Sequence, residues 1–331
     1  MKIKKEYIVL AVVIVALVAY LVARKSDRSL YELPQPASIE TKDITRIELK
    51  SSDGETLLVR EGSDWVIAPE NYPADSQKVK EMLAVADDLT LTELISESEN
   101  YQRYDLDSSE GISVKCWAAK DLKRELTIGK SADSFNHTFV KLPGDDAVYH
   151  AKGDFRRKFD MERGEFRDKS VLSFDRNAIV EITVKEEAGT ETYKREVVEK
   201  GDNEPLEKDG GAAPAKASGA NWLDGNGVVA DQAKISSLLN TLAALKCEKF
   251  IEGKTKADYT APLYTLSLKG METYTISIFP EIKEGDDTLF PAISSANNYP
   301  FLLTQWRVEN IMKKPADLAK KESEARIQES E

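Results

Sequence analysis

The sequence predicts an α+β fold: an N-terminal transmembrane helix followed by two repeated units, each a mostly antiparallel sheet with one long covering helix. Three observations predict it. Residues 74–95, ADSQKVKEMLAVADDLTLTELI, return without a gap at 230–251 as ADQAKISSLLNTLAALKCEKFI, with Ala74/Ala230, Asp75/Asp231, Lys78/Lys234, Leu83/Leu239, Leu89/Leu245 and Ile95/Ile251 identical. Around that segment lie short apolar runs broken by turn residues, without the strand–helix–strand rhythm of a parallel sheet. At the head of the chain, residues 7–23 form an uncharged run of 17.

Taken in order, residues 1–28 are expected to be the membrane anchor. Seventeen helical residues reach about 25 Å at 1.5 Å each, and flanking Lys and Arg side chains extend that reach. A cleaved signal peptide is the rival, disfavoured by the length of the run and by Arg24-Lys25 directly after it. Lys2, Lys4 and Lys5 tilt the topology toward a cytoplasmic N-terminus, with the bulk of the chain periplasmic or otherwise extracytoplasmic and single-pass in the inner membrane. Residues 29–43, with Pro34 and Pro36, are expected to be a stalk.

The first unit is expected over 44–175. Ile44, Ile47 and Leu49 open a strand, the Ser-Ser-Asp-Gly turn returns it through 55–60, and 64–68 with Trp65 adds a third. Asp75 is placed to cap a helix whose apolar face is Val79, Met82, Leu83, Ala86 and Leu89. Strands are expected at 111–118, 123–128, 138–142 and 147–150, the last two joined through Pro143-Gly144-Asp145-Asp146. The second unit is expected over 176–318. Trp222 takes the part of Trp65, and Ile235, Leu238, Leu239, Leu242 and Leu245 repeat the helix face. Residues 201–220, rich in Gly, Pro, Ala and charge, are expected to be an insertion grown inside it, and 319–331 a charged tail.

The chain has 331 residues, 41% apolar and 31% charged, with a net charge of −12. Residues 1–28 carry six Lys/Arg against two Asp/Glu, so the rest is more acidic still. An acidic body repels phosphate backbones, which disfavours nucleic acid as a partner.

Motifs with chemistry fail on inspection. Gly129-Lys130-Ser131 resembles the end of a phosphate-binding loop, but position 124 is Arg where Gly is needed, and a turn is expected there. The run 105–111 resembles a calcium loop, but its Gly is one place late and position 116 is Cys where the closing Glu belongs. His137 and His150 lack zinc spacing, and Cys116 and Cys247 read as small buried residues whose pairing is left open. Helix capping accounts for Asp75 and Asp231, and core packing for Trp65 and Trp222. No catalytic, cofactor-binding or metal residue is selected, and no cofactor is implied.

ITRIEL at 44–49, SDWVI around Trp65, YPADSQKVKEML at 72–83, Tyr104-Asp105-Leu106, LTIG at 126–129 and FRDKSVLSFD at 166–175 form an ordered set, repeated through Trp222, VVADQAKISSLL at 228–239 and Tyr259. In this the chain resembles bacterial membrane-anchored, two-repeat proteins grouped as a domain of unknown function and associated with ABC transporters of the gliding-motility type. That resemblance implies a noncatalytic, membrane-anchored accessory protein of a transporter or cell-envelope complex, not an enzyme. The alternative is a module binding an envelope glycan, lipid or peptide, with a groove between the two units as its site; an unrecognised hydrolase is a third reading. The oligomeric state is left open.

Overall fold

The computed structural model describes residues 13–20, 31–197 and 220–320. Two compact units divide the chain, Met1–Phe166 and Arg167–Glu331. In the first, β1 (Arg46–Ser51), β2 (Gly54–Glu61), β3 (Asp64–Ala68) and β4 (Tyr72–Pro73) lead into α1 (Ser76–Asp87). Then come β5 (Leu91–Ser96), β6 (Ile112–Ala118), β7 (Asp121–Ser131), β8 (His137–Lys141) and β9 (Val148–Lys152). All pair antiparallel in the order β4-β3-β2-β1-β6-β7-β8-β9-β5.

The second unit opens with β10 (Ser170–Ser173), β11 (Glu181–Glu186), β12 (Gly189–Val197) and β13 (Ala220–Leu223), followed by α2 (Gln232–Ala243), β14 (Ala244–Lys246) and β15 (Lys249–Phe250). It continues through β16 (Tyr264–Lys269), β17 (Thr273–Ile278), β18 (Ile282–Glu284), β19 (Asp287–Ser294) and β20 (Phe301–Thr304), and closes with α3 (Gln305–Ile311) and α4 (Pro315–Leu318). Its main sheet runs β13-β12-β11-β16-β17-β19-β20-β15, with β18 added on β19 and β10 paired apart with β14. Set beside β3-β2-β1-β6-β7-β8-β9-β5, the two sheets have one topology. In each, a strand after the helix, β5 or β15, lies at the far edge; in the second unit β14 comes between and pairs with β10.

Period-two alternation explains the strands. In β1 Ile47 and Leu49 face inward, and in β11 Ile182 and Val184 do so. Helical spacing explains the cover. Val79, Met82, Leu83 and Ala86 of α1, and Ile235, Leu238, Leu239 and Leu242 of α2, are buried against their own sheets. Each such large side chain taken from water stabilises its unit by roughly 1.5–3 kcal/mol.

The repeated Asp and Lys hold the helix start to the end of the unit. Asp75 accepts from the backbone N–H groups of Gln77 and Lys78, and Asp231 from those of Ala233 and Lys234. The N–H of Asp75 donates to the Phe166 carbonyl at 2.8 Å, and that of Asp231 to the Leu318 carbonyl at 2.8 Å. Lys78 Nζ donates to the carbonyl of Glu165, and Lys234 Nζ to that of Asp317. The last turn of each unit is thus latched by the same two side-chain positions, and its last residue, Phe166 or Leu318, is buried.

The expected membrane-spanning helix at the head of two α+β units is corrected. Among the described residues no helix is long and apolar enough to cross a membrane. Residues 13–20 are helical, a stretch of about 12 Å against a hydrocarbon core of about 30 Å; residues 1–12 and 21–28 lie outside the described set. What is described is mostly antiparallel sheet. From Tyr31 onward the expected stalk packs on the first unit. The N–H of Leu94 donates to Tyr31 Oη at 3.1 Å, and Ile39 is buried with its N–H on Asp87. Residues 167–175, assigned by sequence to the first unit, belong to the second because β10 pairs with β14. The helix α2 stops at Ala243, so Leu245 sits on β14 rather than on the helix face. Of the expected insertion, 201–219 lie outside the described residues, and Val197 pairs with Ala220 across it. Of the charged tail, Ala319 bridges to Ala230, and 321–331 lie outside.

A cleft in the second unit as candidate functional site

The face of the second sheet opposite α2 carries its own apolar patch. Along β19 and β20, Ala292, Phe301 and Leu303 join the main core, while Pro291 and Leu302 alternate to the other side and are buried there outside it. These two residues, with Phe250, Tyr259 and Phe279, line a cleft of about 680 Å³. The Tyr259 and Phe279 rings lie 5.1 Å apart. Arg167, almost wholly buried, stacks 3.8 Å over Phe250 and donates to Glu252 at 2.8 Å. Stacking on an aromatic face suits the weakly hydrated guanidinium.

Charged groups rim the cleft. Lys249 is ion-paired with Glu284. Asp258 accepts from both the N–H (2.7 Å) and the hydroxyl (2.9 Å) of Thr255, and these bonds hold its carboxyl below the usual range. That turn presents Tyr259, whose hydroxyl is pushed up by burial and then by the Asp258 charge. Lys254 lies 5.7 Å from the Tyr259 ring centroid and has no carboxylate in ion-pair contact among the described residues.

The first unit shows why the cleft is open. Leu94 pairs with Tyr149 and Phe250 with Phe301, which aligns the two edges. One step along, Phe139 opposite His150 corresponds to Pro291 opposite Leu302. In the first unit Phe139 fills this place, its ring 4.6 Å from His150 and 4.9 Å from Tyr104, with His137 stacked 5.2 Å from His150. The same register aligns Gly129 with Phe279, each following the partner of the first residue of β6 or β16. A side chain at Gly129 would collide with the Tyr104 carbonyl oxygen, and Leu106 packs into that space and is buried. In Tyr259-Thr260-Ala261 the third residue is Ala, which lines the cleft. Pro291 in the place of Phe139 leaves the second unit hollow where the first is filled.

A smaller cleft of about 460 Å³ lies between Arg176, Arg195 and α2, beside Trp222. Arg195 Nη1 donates to the Asn177 carbonyl as Arg60 Nη1 donates to that of Lys42, so Arg195 serves the fold in the same manner.

The residues singled out in sequence fall as follows. Asp75 and Asp231 are helix caps, and Trp65 and Trp222 are buried in the two cores. Cys116 and Cys247 are free and buried in separate units, and burial pushes both thiols up to about 12. At neutral pH both are thiols, not nucleophilic thiolates. His150 Nδ1 faces Glu93 at 3.5 Å; burial, then His137, lowers its pKa from 6.5. Asp107 caps its own loop through the Ser109 hydroxyl and the N–H groups of Ser109 and Glu110. Gly129-Lys130-Ser131 lies on β7, not in the expected turn. Among the described residues no group of three or more His, Cys, Asp or Glu is placed to hold a metal ion. Sequence reasoning missed Phe279, Pro291, Leu302 and Lys254. The signal for them is the difference between the copies, but the sequence pattern marks no strand at β19 or β20, so nothing in it aligns Pro291 with Phe139.

A family model described as a domain of unknown function, DUF4340, matches residues 65–262, more than half of the chain. The match runs from Trp65 in β3 to Pro262 just before β16. No curated protein and no solved structure matches the chain.

Proposed function

The chain belongs to the DUF4340 family, whose function is unknown, and from that premise we propose that it is a noncatalytic docking protein for a polypeptide partner. The partner in this reading is a component of a cell-envelope complex, an ABC transporter of the gliding-motility type in the first instance. The observation that supports it most is the cleft of the second unit, with an aromatic floor and a charged rim, at a place that the first unit fills with its own Phe139. Clefts of several hundred Å³ with apolar floors and a few polar groups are characteristic ligand sites. The rim charges Lys249, Glu252 and Glu284 are held in ion pairs, an arrangement suited to fixing register with a partner rather than to moving protons.

The test is chemical crosslinking in intact cells, purification of the chain, and identification of what is bound to it. The proposal expects transporter or envelope-complex subunits in stoichiometric amount. Recovery of the chain alone, or turnover of a substrate dependent on cleft residues, would contradict it.

A further inference from the structure

We infer that the cleft of the second unit takes an extended peptide through one aromatic side chain, with an acidic residue beside it. The inference rests on the docking role proposed above and names the chemistry of the partner. The first unit supplies the template. There Phe139 occupies the corresponding place, between Tyr104 and His150 at 4.9 and 4.6 Å. In the second unit Pro291 stands in the place of Phe139, Leu302 in that of His150 and Phe279 in that of Gly129, so the position is lined by apolar and aromatic groups. Tyr259 and Phe279 form an aromatic pair at 5.1 Å, and Pro291 and Leu302 form an apolar floor. An incoming aromatic ring restores the packing that Phe139 gives the first unit, and buried aromatic anchors dominate binding at such sites.

Charge selects the neighbour of that ring. Of the charged residues lining the cleft, Lys249 and Glu284 pair with each other, Glu252 pairs with Arg167, and Asp258 accepts from Thr255. Lys254 has no carboxylate within ion-pair distance among the described residues; it acts on Asp258 only through space, and a peptide Asp or Glu next to the aromatic residue meets it. Position along the sheet selects an extended backbone. Phe250 lies on the short β15, the terminal strand of the sheet order; the chain before β10 runs beside its start, where the Cys247 N–H donates to the Lys169 carbonyl, and no strand pairs with the outer side of β15 among the described residues. Extended peptides add to such edges through main-chain hydrogen bonds, with alternate side chains reaching pockets.

The test uses the full chain and a phage-displayed library of random octapeptides. Selection on the wild-type chain is expected to enrich an aromatic residue next to Asp or Glu. Ala261→Trp places a ring in the cleft from an exposed loop position and is expected to weaken the selected peptides about thirtyfold. Lys254→Glu, on the exposed rim, is expected to weaken them about fivefold and to shift selection toward Lys or Arg beside the same aromatic residue. Failure to enrich any sequence, enrichment without aromatic residues, or selected peptides indifferent to both substitutions overturns the inference. If the peptide result fails while crosslinked envelope subunits are still recovered, the docking role stands and only the cleft chemistry falls. If neither is found, both fall.

Discussion

Gly129 and Phe279 hold the same place in two sheets, and the absence of a side chain at Gly129 is what lets Leu106 close over the first. Replacing Gly129 by Ala drives a Cβ into the Tyr104 carbonyl and against Leu106. We expect a loss of about 1–3 kcal/mol, the usual cost of overpacking, read as a lower urea midpoint with an unchanged slope. His150 gives a pH signature from its partly buried ring and the neighbouring His137. Above 6.5 the imidazole is neutral folded and unfolded. Below 6.5 the unfolded chain takes the proton first, so this part of the stability is lost as the pH falls from 6.5 through the lower folded value. His150→Gln is expected to flatten that part of a stability–pH curve, and an NMR titration of His150 is expected to have its midpoint below 6.5. A midpoint above 6.5 would show that Glu93 outweighs burial.

The helix with its latch is the element that the sequence marks most clearly, because capping and helical periodicity leave residue-level traces. Asp75 and Asp231, most apolar positions of α1 and α2, and the identity of Lys78 with Lys234 between the copies are all legible in the sequence. Their target was not. The carbonyls of Phe166 and Leu318 are backbone groups far along the chain, and no side-chain pattern announces an acceptor. The same limit hides β5 and β15, short edge strands, and it puts Leu89 and Leu245 on helices that end at Asp87 and Ala243. The cleft inherits this blindness, since it arises from the register of β19 and β20 rather than from any motif. For the latch we expect Asp231→Ala to cost about 1 kcal/mol, while Asp231→Asn retains most of the cap. Thermal melts of the two variants measure the difference, and equal losses would show that the charge rather than the cap matters.

Each unit carries a separate buried cluster, one around Leu58 and Ile67, the other around Leu242 and Leu266. Two cores are expected to give two cooperative transitions. Leu58→Ala is expected to lower one of them and Leu242→Ala the other, each by about 2–5 kcal/mol in its own unit; a differential scan that moves as one peak under both substitutions would count against this. The uncharged run near the N-terminus has the composition of an anchor. Hydropathy registers a length of apolar residues, but the described residues contain no helix of that length. Duplication explains more: one topology used twice, with Phe139 filling in one copy what Pro291 leaves open in the other. The most direct test of a docking role for that opening is site-specific photocrosslinking in living cells. A benzophenone amino acid is placed at exposed Thr260 on the cleft rim and, as control, at exposed Ser134 in the first unit. The account predicts one discrete adduct with an envelope-complex subunit from position 260, abolished by Ala261→Trp and absent from position 134. No adduct at 260, or an adduct that survives a filled cleft, would contradict it.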